Sequence, residues 1–215
     1  MSEHVAPDLD VVVAYAEARH NEFRRRSPLA LVPHPRALAL TGSDLADKYF
    51  RRRVGESIRA AISLVKLSSY VVNAYAYYGA NFEELAAKSS VEVAKLVAEV
   101  SPDMTLPASR RMSFLNPRLA VASDSGKLLR LAETLEMVKM LSVDFDTYSG
   151  DAVEFGYWCT ERLQLLHCVR SLSEVPTIAI KIDAAVAAIN AHLKRQPRLL
   201  SANRVSANRL CTTSC

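Results

Sequence analysis

Apolar residues recur on a helical period along most of the chain, and the breaks between these runs fall at Pro, Gly, Ser and Asn. Residues 10–23 put Val12, Tyr15, Ala16 and Phe23 on one face and run into Arg24, Arg25 and Arg26, which predicts a first helix with a basic end. Pro35 stands where a helix's first turn accepts proline and Gly42 where a helix end favours glycine. Residues 35–40 therefore read as a short helix, with His34 just before it. Residues 43–55 are polar and basic through Arg51, Arg52 and Arg53, and read as an exposed excursion. Residues 57–78 are too long and too apolar for anything but a central buried helix, stopped by Gly79. Asn81 caps the helix that opens with Phe82, Glu83 and Glu84, and Ser89 with Glu92 reads as a capping box for residues 91–100. Pro107 opens a helix expected to stop before Asn116 and Pro117. Leu128, Leu131, Leu135 and Val138 line one face of residues 127–141, a second buried helix across from the first. After a loop at 144–150, residues 151–172 read as a long amphipathic helix around Trp158, and residues 183–193 close the body.

The last stretch, 194–215, lacks this periodicity and repeats a five-residue unit, SANRV then SANRL, so it reads as extended or disordered on its own. It also carries the charge. From Lys194 onward there are five basic residues, Lys194, Arg195, Arg198, Arg204 and Arg209, and no acid, while residues 1–193 hold 22 basic against 23 acidic side chains. The net charge of +4 thus belongs to the tail, a candidate contact for RNA or a ribonucleoprotein. With 215 residues, half of them hydrophobic, the chain suits one all-α domain with a sizeable core. No run approaches the roughly 20 uncharged apolar residues that span a bilayer, so no membrane is expected. Glu3, Asp8 and Asp10 do not suit a conventional targeting peptide. Cys159 and Cys168 lie nine apart on one predicted helix and face different directions, and Cys211 and Cys215 complete the set without metal spacing. Buried thiols in a reducing compartment are the expectation.

Four stretches in order resemble one known family. AYAEARHNEFRRR followed by PHP, FEELAAKSSVEVAKLVAEVSPDMTLPASRR, GKLLRLAETL and EFGYWCTERLQLL are similar to motifs of the HD-domain hydrolases of the RelA/SpoT type, and within them of the small single-domain metazoan SpoT homologues. The resemblance implies an all-α, HD-domain-like compact helical bundle over residues 1–193, with an insertion near 43–55 and the basic tail at 194–215. It also implies a family chemistry, hydrolysis of guanosine tetraphosphate at a manganese ion held by a His, an adjacent His-Asp pair and a distant Asp.

The residues at those positions depart from that pattern. His34 falls on the first ligand, the pair falls on Val72 and Asn73, and the distant Asp falls on Glu133. No histidine occurs between His34 and His167. The family's catalytic Glu-Asp falls on Ala76 and Tyr77, so an activated water has nothing to hold it. Mn2+ is therefore expected only if some hydrolysis remains. His34 reads equally as a packed loop residue, and Glu133 as the partner of a basic neighbour. Tyr75, Tyr77 and Tyr78 supply rings to fill an emptied pocket. Arg25 and Arg26 match the family's Arg-Lys pair and are candidate nucleotide contacts. Other chemistries find less support. There is no Gly-rich phosphate loop and no C-x-x-C or H-E-x-x-H, and His167 and Cys168 point apart as helix neighbours. The expectation is a pseudoenzyme, kept as an interaction module in a larger, RNA-containing assembly. A nucleotide-binding sensor and a weakly active phosphohydrolase of guanosine tetraphosphate or NADPH stay open beside it.

Overall fold

The computed structural model describes residues 8–27, 31–51, 57–103, 105–143 and 152–195. Among these, all regular structure is helical. The helices are α1 (Leu9–Arg26), α2 (Pro35–Phe50), α3 (Ser57–Ala76), α4 (Phe82–Lys88), α5 (Val91–Val100), α6 (Ala108–Val121), α7 (Asp124–Val143), α8 (Ala152–Cys168) and α9 (Pro176–Arg195), with a 3-10 turn at Arg170–Glu174 between the last two. No helix of the described residues is long and apolar enough to cross a membrane. Arg52, Arg53, Arg198, Arg204, Arg209, Cys211 and Cys215 lie outside the described residues.

The molecule is built around α3 and α7, which pack on each other and are both covered by α2 and α5. A helix placed so deeply has no solvent face. Every residue from 126 to 138 of α7 is buried, so the single apolar face expected from Leu128, Leu131, Leu135 and Val138 is only part of what the core covers. The other sides hold a row of charges at three-residue steps, Lys127, Arg130, Glu133 and Glu136, all buried. Each finds a partner from the surrounding helices or its own: Lys127 Nζ donates to Ser171 Oγ at 3.3 Å, Glu136 accepts from Thr41 and Lys139, and Arg130 pairs with Glu133.

Several element boundaries differ from the sequence reading, each for a packing reason. Gly42 does not end α2. It lies inside the helix where α2 crosses α3, and a Cβ there would come within 2.2 Å of Ser69 Oγ and 3.6 Å of Val65 Cγ1. The helix continues to Phe50 because Leu45, Ala46, Tyr49 and Phe50 are buried, so residues 43–50 are a packed part of α2 where an exposed excursion was expected. α6 likewise continues through Pro117 to Val121. Proline costs the helix a hydrogen bond, but Leu115 and Leu119, buried on either side of it, hold the segment on the core. The cap of α5 is Ser90, whose hydroxyl accepts from Val93 N at 3.2 Å, whereas Ser89 belongs to the end of α4 and donates back to Leu85 O at 2.7 Å. α9 begins at Pro176, well before residue 183, because Ile178, Ile182, Ala185 and Ile189 form one buried stripe. It ends on Lys194 and Arg195, which are helical and not part of an extended tail. The expected stop of α3 holds, with Gly79 at φ 74° and Ala80 N bonded to Ala74 O at 3.0 Å closing the helix end. Asn81 caps α4 as read, accepting from Glu84 N at 2.8 Å. Cys159 is fully buried, and burial pushes its thiol up to about 12.

Candidate functional site

The C-terminal end of α3 collects the positions singled out from the sequence. His34 is the residue before α2, and its Nδ1 accepts from Arg36 N at 3.2 Å, so one ring nitrogen serves as the helix cap. Asn73 is fully buried on α3 and its Nδ2 donates to Pro33 O at 3.2 Å, which ties this helix to the residue beside His34. Val72 is buried among the apolar core and Ala76 is buried too. Neither offers a donor.

Behind His34 lies a residue that was read only as part of the first helix. His20 continues the inner stripe of α1 after Val12 and Ala16, and is 6% exposed. Its ring meets that of His34 edge-on with centroids 5.0 Å apart, and its Nδ1 lies 2.8 Å from the hydroxyl of Tyr78. Burial, reinforced by the charges of His34 and Arg24 against the opposing Glu17, pulls the His20 imidazole down to about 4. Tyr78 packs its ring on Phe23 as well, so the aromatic filling expected near α3 is made by Phe23, His20, His34 and Tyr78 together. The four-residue spacing of Val12, Ala16 and His20 was the available signal for this histidine.

The second half of the site is electrostatic. Glu133 on α7 is completely buried. Tyr77 donates its hydroxyl to Oε1 at 3.0 Å, Arg130 contacts Oε2 from one turn earlier, and Arg162 of α8 approaches the same Oε2 at 3.8 Å. The Arg162 guanidinium lies over the Trp158 ring, 5.7 Å from its centroid. Burial, followed by the charge of Glu133, pushes the Tyr77 phenol up to about 12, so it remains a hydrogen-bond donor at neutral pH. Arg130 stood three residues from Glu133 in the sequence, a spacing that pairs side chains on a helix. Arg162 had no such signal, since only folding brings α8 to α7.

The donor set does not fit a divalent metal. Of the four positions that the motif resemblance assigns to ligands, one is Val72, Asn73 offers a neutral amide oxygen in place of a carboxylate while its Nδ2 donates to Pro33 O, and the Glu133 carboxylate is held between guanidinium groups and a phenol. Among the described residues no group of three or more His, Cys, Asp or Glu side chains is arranged to hold an ion. Arg25 and Arg26 stand in the last turn of α1. Arg25 is exposed, and Arg26 pairs with Glu22 one turn back at 3.1 Å.

No family model matches the chain, and no curated protein does. A solved structure described as a metazoan ortholog of SpoT, which hydrolyzes ppGpp and plays a role in starvation responses, superimposes with a TM-score of 0.60 at 17% identity. The alignment covers 84% of this chain and 96% of that one. The two proteins share a fold, the all-α arrangement that the sequence motifs resembled.

Proposed function

We propose that the chain is a non-hydrolytic member of this fold that serves as an interaction module in a larger assembly. The observation that carries the reading is Glu133. The carboxylate aligned with a metal ligand of the hydrolases is fully buried, and accepts from Tyr77 while contacting Arg130. A cation placed beside it would meet two guanidinium groups, and like charge at that range opposes binding. Water activation also needs a general base near the ion, and the aligned positions hold Ala76 and a phenol that stays protonated at neutral pH. The scaffold keeps its core without the chemistry, because an internal ion cluster and aromatic rings take the volume of the site. Basic groups at the end of α9, Lys194 and Arg195, together with the basic residues beyond it, supply charge for an acidic partner, with RNA as the favoured class.

The test uses the full chain purified in the presence of manganese. Metal content below one-tenth of an equivalent and no phosphate release from guanosine tetraphosphate are expected. Stoichiometric manganese with release would overturn the non-hydrolytic reading. Affinity purification of the endogenous protein, with and without nuclease, tests the assembly. Recovery as a monomer in both samples would rule the assembly out.

A further inference from the structure

Helix α6 leaves a large aromatic ring in water. Met112, Leu115 and Leu119 are buried and hold the helix on the body, whereas Phe114 is 58% exposed. Ser113 and Arg110 are exposed on the same stretch. In order along the chain this places an arginine three residues before a serine and an aromatic residue directly after it. Both flanking side chains have a use when such a segment is bound as an extended peptide. A guanidinium pairs with carboxylates through its planar fork, and a ring fills an apolar pocket. Arg111, two residues before the serine, donates from Nε to Leu106 O at 3.0 Å, so it joins such recognition only when the helix start opens.

That start is weakly held. The residue before α6 is Pro107, which gives no side-chain cap. Pro117 lies inside the helix and has no N–H for the carbonyl of Ser113 four residues back, so the helical bond is missing at the serine itself. The ring of Pro117 also opposes the helical conformation of Asn116 before it. The Ser113 hydroxyl donates to Arg110 O at 2.8 Å, an exposed bond that water replaces on opening. Local opening of residues 108–116 therefore costs chiefly the burial of Met112 and Leu115.

We propose that Ser113 is a phosphorylation site for an arginine-directed serine kinase, with Arg110 and Phe114 as the side chains the kinase reads. In the transfer, Ser113 Oγ forms a bond to the γ-phosphorus of ATP. The bond from that phosphorus to the oxygen bridging it to the β-phosphorus breaks, ADP leaves with the electron pair, and the serine proton passes to the carboxylate base of the kinase. Ser27 and Ser173 also stand three residues after an arginine, but both are half-buried, and they are followed by Pro28 and Glu174. The phosphoserine adds a charge of about −1.5 to −2. Beside Phe114 it places the desolvation of a dianion on any interface that would cover that ring, so the modification weakens contact at this surface. None of this depends on whether the chain hydrolyses a nucleotide.

The experiment incubates the folded full chain with ATP, Mg2+ and the catalytic subunit of cyclic-AMP-dependent protein kinase, and reads each serine by phosphopeptide mass spectrometry. Phosphate at Ser113 is expected. Arg110→Ala should lower the initial rate at Ser113 by at least about tenfold. Pro117→Ala restores the missing N–H and should slow labelling of the folded chain by about threefold or more, while leaving a synthetic peptide of residues 105–121 unchanged. Absence of phosphate at Ser113 in the folded chain, when the peptide gains it, overturns the proposal. So does an Arg110→Ala rate equal to that of the unmodified chain, or equal labelling of Ser113 by an acid-directed casein kinase. A folded Pro117→Ala chain labelled as fast as the original overturns the opening of α6 and the proposal with it. Arg110 is exposed, so its variant keeps the test decisive should Pro117→Ala not fold. Neither metal content nor nucleotide hydrolysis is read here, so this proposal and the non-hydrolytic reading fail separately.

Discussion

Glu133 shows how far the partners of a buried carboxylate decide what it can do. On α7 it is fully buried, and its partners are Tyr77, Arg130 and Arg162. Removing the negative member of such a cluster leaves buried cations uncompensated. Glu133→Gln is therefore expected to cost about 3–5 kcal/mol in denaturant unfolding. Tyr77→Phe removes only one neutral donor and should cost about 1–2 kcal/mol. A double variant should lose less than the sum, because both changes act on one network. His20 gives the chain a pH response of definite sign. Its folded value near 4 lies below the ordinary 6.5, so between those limits the unfolded chain binds the extra proton. Its contribution is complete above about pH 6.5 and is lost as the pH falls toward 4. Melting measured from pH 7 to 4.5 should decline with a steeper slope in the unmodified protein than in His20→Gln, the difference reaching about 1–2 kcal/mol. Parallel slopes would show that the imidazole near Tyr78 does not resist protonation.

At the scale of elements, the contact of α2 with α3 depends on the absence of a side chain at Gly42. A methyl group there meets Ser69 Oγ at 2.2 Å, and the neighbouring Ser69 Cβ at 3.2 Å gives it little room. Gly42→Ala should lower stability by about 1–3 kcal/mol despite the better helix propensity of alanine, and adding Ser69→Ala should restore much of the loss. A helix-end glycine would behave differently, so the pair of measurements also separates the two readings of this residue. The α4–α5 junction allows a similar comparison. Ser90→Ala removes the acceptor for Val93 N and should cost about 1 kcal/mol by thermal unfolding. Ser89→Ala should cost less, since its hydroxyl only adds a second bond to a carbonyl at the end of α4.

At the scale of the whole molecule, the sequence was most legible where local chemistry and burial agreed. The apolar stripe of α1, the length of α3, Gly79 after it, and the Asn81 cap are all set within a few residues, and all appear in the fold. Their order also carried the resemblance to the hydrolase fold that the structural similarity supports. Gly42, Pro117 and the start of α9 were misread because each looks like punctuation locally, while distant residues decide whether the helix continues. The candidate site divides in the same way. The resemblance singled out His34, Val72, Asn73, Ala76, Tyr77 and Glu133, and the three-residue spacing from Glu133 makes Arg130 a candidate partner. The meeting of His20 with His34 and of Arg162 with Glu133 could not be read in this way, since those pairs join α1 to α2 and α8 to α7. By itself, then, the sequence determined the helical class and the order of the main elements, because these follow from residue type and short-range period. Only the tertiary structure decided which helices run unbroken and which charges share the buried site, because burial and ion pairing are set by neighbours far away along the chain.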